Sequence, residues 1–211
     1  MNILLINGSP KRKESASARL LEGMIPLFHS NVTKTLSLFA GSVLSEREWD
    51  AVMQADVLVF FFPLYVDGIP SHLLYHMHTV QQMAAERDKC TLSVYAVVNC
   101  GFFEGEQTRY ALQMVENWCI RCGFSWKGGL GIGGGGMLTA VSNLSSHHGP
   151  LGPVFDGLYA LSDTIREQEY FKNQFLSPAF PRLFYKLAAQ SRWRSAIRKN
   201  GLSSRALSRR M

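Results

Sequence analysis

The sequence predicts an α/β three-layer sandwich: one open parallel sheet of five strands in the order 2-1-3-4-5, with helices on both faces. Three observations predict it. Two runs, Asn2–Asn7 (NILLIN) and Val57–Phe62 (VLVFFF), have no polar face. That is the pattern of strands buried on both sides of a parallel sheet. Strand patterns then alternate with helical patterns along the chain, the sequence form of right-handed βαβ crossovers. Finally, the two most apolar runs are the first and third strands, which the order 2-1-3-4-5 makes interior neighbours.

Taken in order, Asn2–Asn7 is the first strand, and Gly8 and Pro10 break it. A helix follows from about Ser15 to Leu27, with Leu20, Leu21, Met24 and Ile25 inward. Val32–Leu38 reads as the second strand. Ser45 with Glu48 three residues on is a capping box that opens a short helix. After Val57–Phe62, Pro63 stops the strand, Gly68 marks a turn and Pro70 starts the next helix. Leu92–Asn99 is the fourth strand, Gly101 turns the chain, and Glu104–Cys122 is a long helix. Phe124–Ile132 is the fifth strand and runs into four glycines, Gly133–Gly136, either a flexible loop over a substrate or a bend at the sheet's edge. Helices are expected at about Pro153–Glu169 and Pro178–Asn200, with Gly201 ending the last.

A chain of 211 residues that is 46% hydrophobic is long enough for one medium-sized domain with a real core. No stretch has eighteen uninterrupted apolar residues, so no transmembrane helix is expected. The first apolar run is short, lacks a basic leader and enters a Gly-Ser-Pro turn, so it reads as a strand and not a signal peptide. Cys90, Cys100, Cys119 and Cys122 are then expected as reduced thiols in a cytoplasmic protein. The net charge of +6 is uneven. From Pro181 onward there are nine Lys and Arg and no Asp or Glu; without them, thirteen basic residues face sixteen acidic ones, a net of −3. The body is mildly acidic, so a nucleic-acid-binding domain as a whole is not implied, and no nucleic-acid partner is expected.

In the order 2-1-3-4-5 the switch point lies between strands one and three, at their carboxyl ends, where open α/β sheets bind ligands. Three loops converge there: Gly8–Ser15, Pro63–Ile69 and Asn99–Glu104. The first joins a buried strand to a helix N-terminus, whose free N–H groups and dipole favour an anion. Ser9, Ser15 and Ser17 add hydroxyls and Lys11, Arg12 and Lys13 add charge. The glycines of a Walker A loop or a GxGxxG fingerprint are missing, so the loop suits one terminal phosphate better than a pyrophosphate. It also reads as an ordinary βα loop with a capping serine. The second loop offers Tyr65, and the third offers Asn99 and Gly101 followed by Phe102 and Phe103.

Three motifs in this order, NGSPKxKxSxS, PLYVDxIPSHLL and VNCGFxE…NWCxxxGxxWxGGLGIGGG, resemble those of the flavodoxin-like NAD(P)H-dependent FMN reductase family, over about Asn2–Gly136. The resemblance implies a flavodoxin-like fold with residues 1–170 as the FMN-binding domain, and the basic helical pattern of the tail adds the expectation of a C-terminal helical extension, 171–211, packed on it. The resemblance implies that Ser9, Lys11, Ser15 and Ser17 hold the FMN phosphate, and that Pro63, Leu64, Tyr65 and Val66 lie along the ribityl chain and the isoalloxazine. Asn99, Cys100, Gly101 and Phe102 would cup the pyrimidine end of the ring. The sequence departs from the family in Ala16, where many relatives have Asn, and in Glu14 beside the phosphate loop. The implied activity is hydride uptake from NAD(P)H and electron delivery to a small acceptor such as a quinone, flavin, nitro or azo compound or metal ion. The flavin supplies that chemistry, so no catalytic side chain is assigned. The implied assembly is a homodimer.

Other groupings read as packing. Cys119 and Cys122 fall late in a helix, whereas a redox CxxC motif opens one. His72 and His76, His78, and the pair His147–His148 lack convergent carboxylates, so no metal is expected. Cys100 reads as a small residue filling space beside the ring, or as a thiol with a role there. Along the basic tail, Phe180, Leu183, Phe184, Leu187 and Ala188 recur at helical spacing among basic residues. That is either a helix packed on its own domain or on a partner subunit, or one lying on an anionic membrane surface. The expectation is the packed helix. The expected function is an FMN-dependent oxidoreductase; the alternative is a non-enzymatic flavodoxin-like electron carrier or interaction module.

Overall fold

The computed structural model describes residues 1–28, 32–86, 92–140 and 148–203. Cys90, His147, Arg205, Arg209 and Arg210 lie outside the described residues. The chain divides into two compact units, Met1–Pro178 and Ala179–Met211.

The first unit is built on one parallel sheet. Its strands are β1 (Asn2–Asn7), β2 (Val32–Ser37), β3 (Val57–Pro63), β4 (Ser93–Asn99), β5 (Ser125–Ile132) and β6 (Gln174–Leu176), in the order β2-β1-β3-β4-β5-β6. Every pairing is parallel. The order of the first five strands is the one the sequence predicts.

The two faces carry separate cores because successive strand residues point to opposite sides. On β1, Leu4 and Ile6 join one core with α2 (Glu46–Met53), α3 (Ser71–Ala85) and α4 (Arg109–Cys122). Ile3 and Leu5 join the other with α1 (Ala16–Met24) and α6 (Gly152–Glu167). Every residue from Val57 to Phe62 and from Ser93 to Asn99 is buried, which is why neither run shows a polar alternation. On the first face, Trp118 lies edge-on to Phe60 and donates its indole N–H to the Met77 carbonyl at 2.9 Å. A buried ring of that size is well placed only when its N–H is also satisfied.

Helix ends follow from local chemistry. The Glu48 carboxylate accepts from the N–H and the hydroxyl of Ser45 at 2.8 and 2.6 Å, the capping box read from the sequence. Gly123 ends α4 with φ +71°, a conformation that suits a residue without Cβ. The first helix is shorter than predicted: its last turn, Ile25–Phe28, tightens to a 3₁₀ helix at Pro26. Gly105–Thr108 is likewise 3₁₀ before α4 begins. A single-turn helix, α5, spans Gly135–Leu138 and starts in the glycine run.

The sixth strand was not predicted, and its cause lies in β5. A Cβ on Gly131 would come within 2.6 Å of the Phe175 ring, and one on Gly128 within 1.7 Å of the Phe171 carbonyl oxygen. The β5 glycines leave room for residues 171–176 to lie against that strand. Asn173 anchors them by accepting the Gly129 N–H at 2.9 Å. The sheet therefore draws its edge strand from residues that the sequence pattern assigns to the C-terminal extension.

The second unit contains one helix, α7 (Arg182–Lys199), which has no buried residue. At ~100° per residue, Lys186, Arg194 and Arg198 fall in the same arc as Leu183, Leu187 and Ile197, so charged and apolar residues are interspersed. No helix among the described residues is long and apolar enough to cross a membrane.

Candidate functional site

β1, β3 and β4 end side by side, with Asn7 paired to Phe61, and Pro63 to Asn99. α1 leaves β1 over one face and α3 leaves β3 over the other. The chain thus reverses direction between β1 and β3, and the three loops rise from that edge. They are tied to one another at their bases. The Gly8 N–H donates to the Phe61 carbonyl at 2.7 Å, and the Leu64 N–H to the Asn99 carbonyl at 2.7 Å. The Ser17 hydroxyl donates to Asn99 Oδ1 at 2.8 Å.

The first loop holds its shape by local bonds. The Ser9 N–H donates to Asn7 Oδ1, the Lys11 N–H to Ser9 Oγ, and the Ala18 N–H to Ser15 Oγ, the last being the N-cap of α1. Ser9 and Ser15 use their hydroxyl oxygens as acceptors, which leaves each O–H proton to donate. The N–H groups of Ala16 and Ser17, in the first turn of α1, have no intrahelical partner. Lys11 is exposed, whereas the Arg12 guanidinium sits over the Phe39 ring, 4.4 Å from its centroid. Glu14, just before the cap, has φ +50°.

The second loop is a tight turn. The N–H groups and carbonyls of Tyr65 and Gly68 exchange two hydrogen bonds, each 3.0 Å. Between them Val66 and Asp67 both have positive φ, +47° and +58°. A β-branched residue in that region is strained, and such strain clusters at functional sites. Pro63 and Leu64 are half-buried, Tyr65 is exposed and Val66 wholly so.

In the third loop Asn99 and Cys100 are buried, while Gly101 and Phe102 are exposed. A Cβ on Gly101 would meet nothing within 4 Å, so its backbone borders open space. Burial pushes the Cys100 thiol up to about 11, and its S–H is directed at the Phe102 and Glu104 carbonyls. It is a protonated, space-filling group at neutral pH. The glycine run supports this loop from behind. Gly134 and Gly135 donate N–H groups to the carbonyls of Phe102 and Cys100 at 2.6 and 2.8 Å. A Cβ on Gly133 would lie 2.0 Å from the Phe103 oxygen. Backbone packing accounts for Gly133 and Gly135, and positive φ with the Pro178 ring for Gly134.

The site residues expected from the sequence thus sit on one edge, in two groups. Ser9, Lys11, Ser15, Tyr65, Val66, Gly101 and Phe102 offer donors or exposed surface, with Pro63 and Leu64 half-buried behind them. Ser17, Asn99 and Cys100 are buried with their polar atoms bonded within the protein, and Ser9 and Ser15 are equally buried but each keep a hydroxyl proton. A cleft of about 360 Å³ beside the second loop, lined by Asp67, Glu106, Gln107, Arg109 and Tyr110, was not foreseen. The exposed Tyr110 one residue into α4 was its only sequence signal. A void of about 10 Å³ inside the core, lined by Ile6, Phe60 and His76 among others, has no connection with these loops' chemistry.

Cys119 and Cys122 are free thiols, and burial pushes the Cys122 thiol up to about 12 and Cys119 higher still. His72 bonds the Leu38 carbonyl and His76 bonds Ser42. Among the described residues no group of three or more His, Cys, Asp or Glu is placed to hold a metal ion.

No protein-family model matches the chain, and no curated protein matches it. Solved structures do. A flavone reductase aligns at TM-score 0.55 and 11% identity, over 82% of this chain and 66% of its own. A flavodoxin of Streptococcus pneumonia TIGR4 aligns at 0.53 and 6%, over 80% and 99%. The Trp repressor binding protein of Bacillus subtilis aligns at 0.52 and 18%, over 76% and 98%. At such identities the likeness is one of architecture, and together with the sheet order it shows that this chain has the flavodoxin-like fold.

Proposed function

We propose that the protein is an FMN-dependent oxidoreductase that takes hydride from NAD(P)H and passes electrons to a small acceptor. The observation that carries this is the convergence of three loops at the switch point. One has donors for a single phosphate, and two present apolar surface and open backbone. The donor set fits FMN: hydroxyl protons of Ser9 and Ser15, first-turn N–H groups of α1, and the Lys11 ammonium. The open side of Gly101 fits a flat ring edge. Descriptions of two structural neighbours as a flavodoxin and a flavone reductase support the same reading.

When bound, the flavin supplies the hydride and electron chemistry, and the protein supplies position and electrostatics. Ser9, Ser15 and Lys11 bind the phosphate end. Tyr65 and Val66 would flank the ring system, and the open side of Gly101 beside Phe102 would take its pyrimidine edge. A cytoplasmic homodimer belongs to this proposal. Exposed Leu74, Tyr75, Tyr110 and Ile120 on α3 and α4 offer apolar surface for the second subunit. Light scattering tests that.

Purified protein should carry, or take up, a flavin whose absorbance bleaches on adding NADH or NADPH. Extraction of FAD in place of FMN, or the absence of any flavin binding, would refute it. The acceptor is then found by testing quinones, azo dyes, nitroaromatics and ferric complexes for reoxidation.

A further inference from the structure

We propose that the buried Ser17–Asn99 hydrogen bond is a strut that sets the spacing of the phosphate loop and the ring-edge loop, making both residues positioning residues for the flavin and not its ligands. This rests on the FMN site proposed above. Ser17 is the second helical residue of α1 and is 1% exposed; Asn99 ends β4 and is 5% exposed. Their bond, 2.8 Å long, joins residues 82 apart in sequence. It joins the start of α1 to the end of β4, a strand that does not neighbour β1 in the sheet.

Asn99 links the second loop, the helix that leaves the first loop and the start of the third. Its carbonyl holds the Leu64 N–H at the base of the second loop, its side chain holds Ser17 behind the first, and its own backbone begins the third. A serine hydroxyl has one proton. In Ser17 that proton is committed to Asn99, so donation to a phosphate would leave a buried amide oxygen unpaired. Ser9 and Ser15 differ, because their oxygens accept from backbone N–H groups and their protons stay available. Serines of similar appearance in the sequence therefore have two tasks.

FMN and riboflavin, which lacks the phosphate, are the probes. Both would be titrated into the full chain carrying Ser15→Ala, Ser17→Ala, Asn99→Leu or the last two together, with flavin fluorescence as the readout. Ser15→Ala should weaken FMN selectively, on the order of ten-fold or more, the loss expected for a bond to a charged group. Ser17→Ala and Asn99→Leu should each weaken FMN, which bridges the two loops, more than riboflavin, and the double variant should lose no more than about two-fold beyond either single variant, because both remove the same strut. Additive losses of FMN affinity in the double variant would overturn the proposal.

Melting of the flavin-free protein gives a second, independent readout. Ser17→Ala and Asn99→Leu each leave a buried polar group unpaired and should lower the melting temperature by about 2–8 °C. The double variant removes both partners and should recover most of that loss. Additive losses would overturn the strut. If wild-type protein binds neither flavin, the FMN site fails, and the melting cycle alone still decides whether the strut exists.

Discussion

Replacing Val66-Asp67 by Asn-Gly should stabilise the flavin-free protein and weaken its hold on the flavin. The turn from Tyr65 to Gly68 places two L residues at φ +47° and +58°. The left-handed region costs an L residue roughly 1–2 kcal/mol, and β-branched Val is among the least suited to it. Val66 is wholly exposed, so removing it forfeits no buried area. Asn tolerates this backbone and Gly adopts it freely, which makes Asn-Gly the favoured pair for a two-residue turn of this hand. Glycine returns about 0.5–1 kcal/mol through the entropy of the unfolded chain. A net gain of about 1–2 kcal/mol remains, or roughly 2–8 °C for a unit of this size. Calorimetric melting of the flavin-free variant measures it, and an unchanged or lower melting temperature would refute the strain. If Val66 flanks the ring, loss of its contact should weaken FMN and riboflavin alike, by up to about ten-fold. Unchanged flavin affinity alongside a higher melting temperature would mean that the turn's strain serves no contact with the ring.

Three further outcomes are expected. Gly133→Ala would put a Cβ 2.0 Å from the Phe103 oxygen, so the third loop must shift, at about 1–3 kcal/mol; Gly101→Ala, whose Cβ meets nothing, should melt like wild type, and equal melting of the two variants would count against backbone packing. The His76 imidazole is held below its ordinary value by burial and by neighbouring His72, and its Nδ1 has no partner among the described residues. The unfolded chain therefore takes up this proton first, so stability is full above about pH 6.5 and declines as pH falls below it; melting between pH 5 and 8 should show this slope in wild type and a shallower one in His76→Gln. The chain ended after Pro178 should keep its cooperative melting and FMN affinity and lose only the helical circular dichroism of α7, because Met1–Pro178 is compact by itself and α7 buries none of its residues. A salt-sensitive rise in KM for NADPH on that truncation would instead assign the basic tail to the dinucleotide.

What the sequence revealed, and what it concealed, divides by range. Val57–Phe62 announced a central strand because burial on both faces leaves no room for a polar residue. Ser45 and Glu48 announced a helix start because a capping box is a local bond between residues three apart. Gly8, Pro10, Gly68 and Gly101 placed the loops for the same local reason. Features set by distant partners were not legible. β6 is three residues long, and its cause is written in the glycines of β5, more than forty positions earlier. The glycine run allowed two readings until its N–H groups were seen to hold the third loop. Gly68 signalled a turn, and Asp67 is a residue that tolerates left-handed backbone, yet β-branched Val66 beside it signalled the opposite. Nor could spacing show that Ser17 faces Asn99, 82 residues away, while Ser15 faces its own helix.

The arrangement of the loops also bears on how chemistry could proceed there. A nucleophilic or acid–base site needs a group whose pKa is brought toward neutrality. The buried thiol of the third loop moves the other way, to about 11, and its S–H is directed at two carbonyls. The Arg12 guanidinium is laid on Phe39, and the exposed surface of the second and third loops is Tyr65, Val66, Gly101 and Phe102. What the fold has arranged instead is position: main-chain bonds join the loops at their bases, a glycine run braces the third, and two left-handed residues fix the second. Rigid loops with few tuned titratable groups suit a ligand that carries its own reactivity and needs to be held. The proposed flavin would divide the work with its protein in that way, and on that proposal position, more than any single side chain, is where substitutions here should be felt.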